Sequence, residues 1–496
     1  MQGSLSGPDI AILFLYALVL VAMGVYYSRK SRTAEQFMVA GRTIPAWAAG
    51  LAVMSTFTSS ISYIATPGKA FDTNWHVFIF SLCIVPIAWV VGKYVVPYYR
   101  KRRLISVYSF LEERLGIWGR LYAALSFLLY MVGRIAVIFY LAGLLLSTFV
   151  PWNIVLIIVV IGLITIVYTL LGGMEAVIWT DVMQSAIMIV GILFCAVSLT
   201  LEVFSGPEPL IQTALEGKKF SFGSWDLSLS SRTIWVMIIY GFTENLRTLM
   251  TDQNYVQKYS SVSSEREARR SIWIGMLIFI PLSAVFLYIG TALFAFYSPG
   301  GHPLGPEIIK GDQVFPYFIA TQLPTGLKGL IVAAILAAAM SSVDSALNCS
   351  ATVLLLDFYK RYVKPETSEK AGVLFLRQTT IAWGVIGTGF ALLMIQAGSA
   401  LDVWWQIAGI FGGGMLGLFL LAWLNVSLKL WQGLVSIGIS IVVISWGTFA
   451  RNLPVQWQWA ECHIDTIIIG AVGTGALLVV AGLLGLANRI LTTRTR

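Results

Sequence analysis

Residues 52–68 read AVMSTFTSSISYIATPG. Seven serines and threonines (Ser55, Thr56, Thr58, Ser59, Ser60, Ser62, Thr66) fall within twelve residues of an otherwise apolar run. A helix that faces lipid along its length does not tolerate so many hydroxyls. A helix broken inside the membrane does, because its freed backbone groups line a protected cavity. A second polar interruption lies at 238–257, IIYGFTENLRTLMTDQNYVQ, with Gly241, Glu244, Asn245, Arg247, Asp252, Gln253 and Asn254. With the first apolar run set aside, the two interruptions open two successive groups of five spans. Corresponding broken spans in two halves point to inverted repeats with a site near mid-membrane. The plainer alternative is that the hydroxyls bond back to their own helix carbonyls. That explains one serine better than it explains the whole cluster.

The composition agrees. The 496-residue chain is 57% hydrophobic and only 11% charged, where soluble proteins carry about 25%. A span needs about 20 apolar residues. Thirteen candidate runs occur, at roughly 9–28, 44–66, 74–98, 119–149, 152–171, 175–203, 233–257, 271–297, 315–357, 372–396, 401–424, 430–450 and 464–488. The run 315–357 is too long for one span and predicts a short external helix before a span at about 329–357. The first run has its cations after it (Arg29, Lys30, Arg32) and reads as an uncleaved helix rather than a signal peptide. With the N-terminus outside, the inner loops hold 23 Lys and Arg against seven outside. This bias predicts N-out, C-in, which an odd number of spans also requires. The net charge of +9 is therefore read as topology, not as a nucleic-acid surface. The loops 204–232 and 298–314 are the longest outside the membrane, and 358–371 reads as an inner loop.

Four scattered cysteines and three histidines give no disulfide framework and no multi-histidine metal site. No GxxxxGK[ST] loop occurs, which argues against ATP-driven transport. No span offers a catalytic dyad, so an enzyme is not expected. A solute sensor would be expected to carry an output domain, and the chain ends eight residues after its last apolar run.

Within 337–348, AAAMSSVDSALN, Ala338, Ser341, Ser342 and Ser345 share one helix face, with Asp344 on an adjoining stripe. Small residues allow close helix contact, and the hydroxyls offer neutral oxygens to a hard cation. A tight helix seam without an ion fits the same spacing. Asp181 and Asp344 are membrane carboxylates, costly and functional by default, although Asp181 also suits a capping role near its helix end. Asp181 and Asp344 together admit proton coupling as a rival to sodium. Arg134 stands alone in SFLLYMVGRIAVIFYLAGLLL. It serves either a carboxylate from another helix or the carboxylate of an anionic solute.

At MSTFTSSISYIATPGKAF, LLGGMEAVIWTDVMQ, DQNYVQKY and AAAMSSVDSALN the sequence resembles the sodium:solute symporter family, over nearly its whole length. The resemblance implies an all-α integral membrane protein with a LeuT-type core of five plus five inverted helices. Residues 1–43 would form an N-terminal extra helix and inner loop, 44–203 the first repeat, 204–424 the second, and 425–496 two C-terminal helices. It implies a sodium site of Ser55, Thr58, Ala338, Ser341 and Ser342, and in some members a second one of Asp181, Ser341, Asp344 and Ser345. The stretch GRIAVIFYL is most similar to the bacterial sialic acid symporters, where its arginine, here Arg134, holds the sugar's carboxylate. Ser59 and Ser62 match hydroxyls of their solute site. Three positions depart: Phe57, Ser81 and Asp344 replace threonine, glutamine and serine. Tyr63, Phe78, Tyr240 and Gln406 are further pocket candidates. The implied activity is sodium-coupled import of sialic acid, with another sugar, sugar acid or small carboxylate as the alternative. The implied setting is a bacterial inner membrane, with lipid as the only other partner, no nucleic acid, and a monomer.

Overall fold

Hydroxyls at 55–66 compete with the backbone for its own hydrogen bonds, and the helix does break there. The computed structural model of the chain describes residues 5–28, 33–204, 210–297, 302–306, 308–396, 399–426, 428–451 and 453–494. Ala46–Phe57 is helical, Thr58 is extended (φ −98°, ψ 97°), and Ile61–Asp72 resumes as a π turn and a short α-helix bent 56° from the first. The second interruption also breaks. Ile234–Thr251 ends at Asp252, extended at φ −83° and ψ 113°, and Gln253–Ser260 follows as a separate helix.

The described residues form helices joined by short turns, with one isolated β-bridge between Ile44 and Val262. Among the described residues ten helices are long and apolar enough to cross a membrane, or eleven spans if the bent pair counts as one. Ile154–Val167 is apolar but shorter, and Ile234–Thr251 falls outside that count. The expected external helix is Gly311–Thr321, ahead of Leu327–Val353, and it packs on both parts of the Ile61–Asp72 segment.

Two loops are shorter than their polarity predicts. The inner segment 172–180 shrinks to a kink at Gly173, whose φ of 62° favours a residue without a side chain, and helix resumes at once. The segment 358–371 stays helical to Val363, as an extension of the Leu327–Val353 helix. Arg29, Lys30, Arg32 and Arg496, four cations of the inner bias, lie outside the described residues, as do parts of the two long external loops.

Leu327–Val353 is the hub. Most of its residues are buried, and it packs against Ile154–Phe204, Ile117–Ser147 and Ala46–Phe57. Small side chains permit this closeness. A methyl added at Gly275 would sit 2.9 Å from the Gly50 carbonyl, so the first broken helix and Glu265–Phe296 meet backbone to backbone. On the periphery, Phe14, Val442 and Phe449 are more than 60% exposed, as expected of surfaces that face lipid.

Candidate functional site

A helix leaves its last carbonyls without intrahelical partners. At the first break the Thr58 amide takes Met54, and the next three carbonyls are released. Phe57 accepts the Ser62 hydroxyl at 3.2 Å. Thr56 accepts Arg134 Nη2 at 2.5 Å and the Tyr255 hydroxyl at 3.2 Å. No hydrogen bond reaches the Ser55 carbonyl among the described residues.

The oxygens expected to hold sodium are all buried. Ser55, Thr58, Ala338, Ser341 and Ser342 are all fully buried, on two helices that touch. Ser341 Oγ donates to the Ala338 carbonyl at 3.1 Å, and Thr58 Oγ1 leans on Met54 Sδ at 3.4 Å. The hydroxyls of Ser55 and Ser342 are buried without any partner, as is Asp181 Oδ1. An unpartnered buried oxygen costs roughly 1–3 kcal/mol. A small cation that takes such oxygens as ligands offsets that cost. The donor set therefore fits sodium.

The other expected cation set is partly taken by bonds within the protein, with Asp181 Oδ1 left over. Lys258 Nζ donates to Asp181 Oδ2 at 2.7 Å. Asp344 Oδ1 accepts Thr169 Oγ1 at 2.8 Å, and Ser345 Oγ donates to the Ser341 carbonyl at 2.9 Å. Lys258 was expected as an inner-loop cation, but it is fully buried.

On the other side of the break lies a cavity lined by residues of both broken helices. Phe57, Ser59, Ser62, Ser81, Arg134 and Tyr240 line it, as expected. Ser59 Oγ accepts the Ile61 amide at 3.2 Å, and Ser81 Oγ pairs with Ser283 Oγ at 2.7 Å. Tyr63, Phe78 and Gln406 do not line it. Tyr63 is fully buried, packs on Phe286 and donates to the Met188 carbonyl. Phe78 stacks on Phe222, outside the cavity wall. Gln406 follows Trp405 on its helix, but Trp404 and Trp405 take the lining positions.

Arg134 decides the cavity's chemistry. It is 4% exposed, and its hydrogen bonds go to a carbonyl and, at 3.5 Å, to the Tyr255 hydroxyl. Tyr255 and Trp404 flank it, each ring centroid 5.8 Å away. Among the described residues no carboxylate pairs with it. The neighbouring Glu244 carboxylate is committed to Arg247, at 2.6 and 2.8 Å.

Several lining residues went unrecognised in the sequence: Tyr130, Glu244, Thr248, Tyr255, Trp404 and Trp405. Glu244, Thr248 and Tyr255 sit inside the second polar interruption, which was the available signal. The others are ordinary aromatics of apolar runs. An ion-pair cluster covers Trp405. Asp402 binds Lys69 at 3.1 Å and Arg232 at 2.7 Å, and both cations lie over the Trp405 ring, at 5.8 and 4.7 Å.

The chain is similar to known proteins over most of its length. The model of the Sodium:solute symporter family matches residues 37–427. The sodium/sialic acid symporter SiaT of Proteus mirabilis is 31% identical over 465 residues, covering 93% of this chain and 94% of its own. The sodium/sialic acid symporter NanT of Aliivibrio fischeri is 32% identical over 461 residues, covering 92% and 91%. Among solved structures, a Na+-coupled sialic acid symporter in a substrate-bound outward-open state superimposes with a TM-score of 0.86 at 29% identity. It covers 97% of this chain and 98% of its own.

Proposed function

This chain belongs to the sodium:solute symporter family, and on that premise we propose that it imports sialic acid (N-acetylneuraminate) together with sodium. It is a multi-pass membrane transporter, not an enzyme, with a LeuT-type fold. The observation that carries the substrate class is Arg134, a buried guanidinium on the cavity wall that forms no ion pair with a carboxylate among the described residues. A guanidinium stays charged and grips a carboxylate with two parallel hydrogen bonds. The hydroxyls of Ser59, Ser62, Ser81 and Ser283 suit the rest of a sugar, and Trp404 and Trp405 suit its apolar face.

In this reading sodium binds the carbonyls of Ser55, Thr58 and Ala338 and the hydroxyls of Ser341 and Ser342. Binding there pins the first broken helix to the Leu327–Val353 helix. The break is shared, so the same event fixes Thr56, Phe57, Ser59 and Ser62 at the cavity. The solute then tightens sodium by the same factor that sodium tightens the solute. Opening of the Asp402 cluster on one face and release on the other give alternating access. The repeats run over 44–203 and 204–424. The chain sits in a bacterial inner membrane with its N-terminus outside and its C-terminus in the cytoplasm, and one copy, in contact with lipid, lines the whole cavity.

Uptake of radiolabelled N-acetylneuraminate into proteoliposomes tests the reading. An inward sodium gradient should drive accumulation, and potassium in its place should abolish it. Undiminished uptake in potassium, or uptake driven by a pH gradient alone, would overturn it.

A further inference from the structure

The span that begins at Trp75 ends in YYRKRR, residues 98–103. Arg102 is held by Glu113 at 3.1 Å and lies over the Tyr98 ring. Among the described residues no carboxylate pairs with Arg100, Lys101 or Arg103. Arg100 Nη1 donates to the Ser260 carbonyl at 2.9 Å, and Arg42 Nη1 reaches the same oxygen at 3.4 Å. Arg42 Nη2 donates to the Arg103 carbonyl at 3.1 Å. Two guanidinium groups thus meet at one neutral oxygen, with a third beside them. The carboxylate paired with Arg42, that of Glu35, stands 3.9 Å away and is 61% exposed. Lys101 and Arg103 are exposed, and among the described residues their side chains have no hydrogen-bond partner. Like charges this close repel one another, and an anion from outside the chain would relieve that repulsion.

The cluster borders a groove. Tyr94, Pro97, Arg100 and Lys101 stand on one wall, and Ser263 and Ser264 on the other. Glu265 also lines it, with its charge covered by Arg269. Tyr94 is exposed, and Trp89, Val85 and Leu82 continue an exposed apolar stripe back along the same span. Lys93 Nζ lies over the Trp89 and Tyr94 rings, at 4.7 and 5.2 Å, and adds positive charge beside the stripe. An apolar stripe on a spanning helix faces acyl chains. A soluble anion would use the cations alone. A phospholipid would use both features, with its chains on the stripe and its phosphate among the cations. The cluster also joins three chain ends. Arg42 precedes the first broken helix, Ser260 ends the short helix after the second break, and Arg100 to Arg103 close the span. The Ile44 amide donates to the Ser261 carbonyl at 3.1 Å in the same place.

We propose that Arg42, Arg100, Lys101 and Arg103 bind the headgroup of an anionic phospholipid whose acyl chains lie along Leu82, Val85 and Trp89. The bound headgroup bridges the start of the first broken helix and the end of the second. The site lies apart from the solute cavity and does not depend on which solute is carried. In the orientation proposed above it lies at the cytoplasmic leaflet, where anionic lipid meets basic juxtamembrane segments.

Thermal unfolding in an uncharged detergent tests it. The full chain is titrated with phosphatidylglycerol, with phosphatidylcholine of the same acyl chains, and with inorganic phosphate. Phosphatidylglycerol should raise the melting temperature at concentrations where the other two do not. Lys101→Gln combined with Arg103→Gln removes two exposed cations whose side chains hold nothing in the protein, so the fold should be kept. Its half-saturating phosphatidylglycerol concentration should rise about 25-fold, at about fivefold for each cation. Lys101→Arg combined with Arg103→Lys should behave as wild type. Lys364→Gln combined with Lys370→Gln loses the same charge from exposed positions elsewhere and should change the titration little. Equal stabilisation by the two lipids, or equal losses in the two glutamine pairs, would overturn the proposal and leave only a diffuse attraction to net charge. Stabilisation by inorganic phosphate equal to that by phosphatidylglycerol would also overturn it, and assign the cluster to a soluble anion. None of these measurements involves sodium or solute, so their failure would leave the transport reading intact.

Discussion

Replacing Arg134 with glutamine separates a solute-gripping arginine from one that only braces the broken helix. Nη2 donates to the Thr56 carbonyl and the Tyr255 hydroxyl. Of five guanidinium donors, those on Nη1 remain for a carboxylate, and the Nη2 hydrogen 3.5 Å from the Tyr255 hydroxyl can turn to it as well, which completes an end-on two-point grip. Each charge-assisted hydrogen bond contributes about 1.5–3 kcal/mol. Taking the lower figure for a cavity that also holds water, two bonds contribute about 3 kcal/mol, or roughly 150-fold in affinity. The Thr56 carbonyl keeps the Tyr255 hydroxyl at 3.2 Å after the change, so the break stays anchored. Binding of N-acetylneuraminate by Arg134→Gln, measured calorimetrically in saturating sodium, should weaken about 100-fold or more. An analogue with the carboxylate reduced to a hydroxymethyl group should bind wild type weakly and lose little further. Sodium-dependent thermal stabilisation should persist. Equal losses on both ligands would refute the reasoning and assign Arg134 to the helix break alone.

Ser342→Ala removes a buried hydroxyl that has no partner. Stability without sodium should hardly change while sodium affinity falls about 10-fold, and an unaltered sodium dependence of uptake would remove Ser342 from the site. Asp402→Asn loosens two partly exposed ion pairs, with Lys69 and Arg232, of about 1 kcal/mol each at most. Labelling of a cysteine at Ser62 by an impermeant reagent should quicken about fivefold, and no change would mean the cluster does not close the outer side. Inside, burial alone would raise the Glu112 carboxyl, but hydrogen bonds from Arg120 and Arg361, both at 2.6 Å, outweigh it and hold it below its ordinary value. A depressed carboxylate stabilises above its unfolded value of about 4.3 and loses that contribution as pH falls through the lower folded value. Glu112→Gln should therefore lower the melting temperature at pH 7, with the difference from wild type closing toward pH 3.

The parts of the fold legible in the sequence are those encoded locally. Apolar runs, the hydroxyl cluster at 55–66 and the small-residue face at 338–345 are properties of one stretch each, and the structure has the expected helices and both breaks there. Partnerships between stretches were not legible. Lys258 follows a polar segment and looks like a loop cation, and only the fold, 77 residues removed from Asp181, turns it into a buried ion pair. Tyr63 and Phe78 flank pocket residues in sequence, yet they point at Met188 and Phe222 because a π turn and a helix start re-aim them. Trp404 and Trp405 lack any local sign that sets them apart from the chain's fifteen other tryptophans.

The consecutive residues 55–57 explain why a binding protein of this shape must also be a coupled one. Ser55 belongs to the oxygen set that suits sodium, Thr56 gives its carbonyl to Arg134, and Phe57 lines the cavity. Neighbouring residues share peptide planes, and each plane moves as a unit. An ion that fixes the Ser55 carbonyl therefore restricts the planes that carry Thr56 and Phe57. A carboxylate on Arg134 restricts the same planes from the other side. Ordering that either ligand has already imposed need not be imposed again by the second, so each makes the other's binding more favourable. Breaking one helix at one point thus links an ion site to an anion site through three residues, without a relay across the protein.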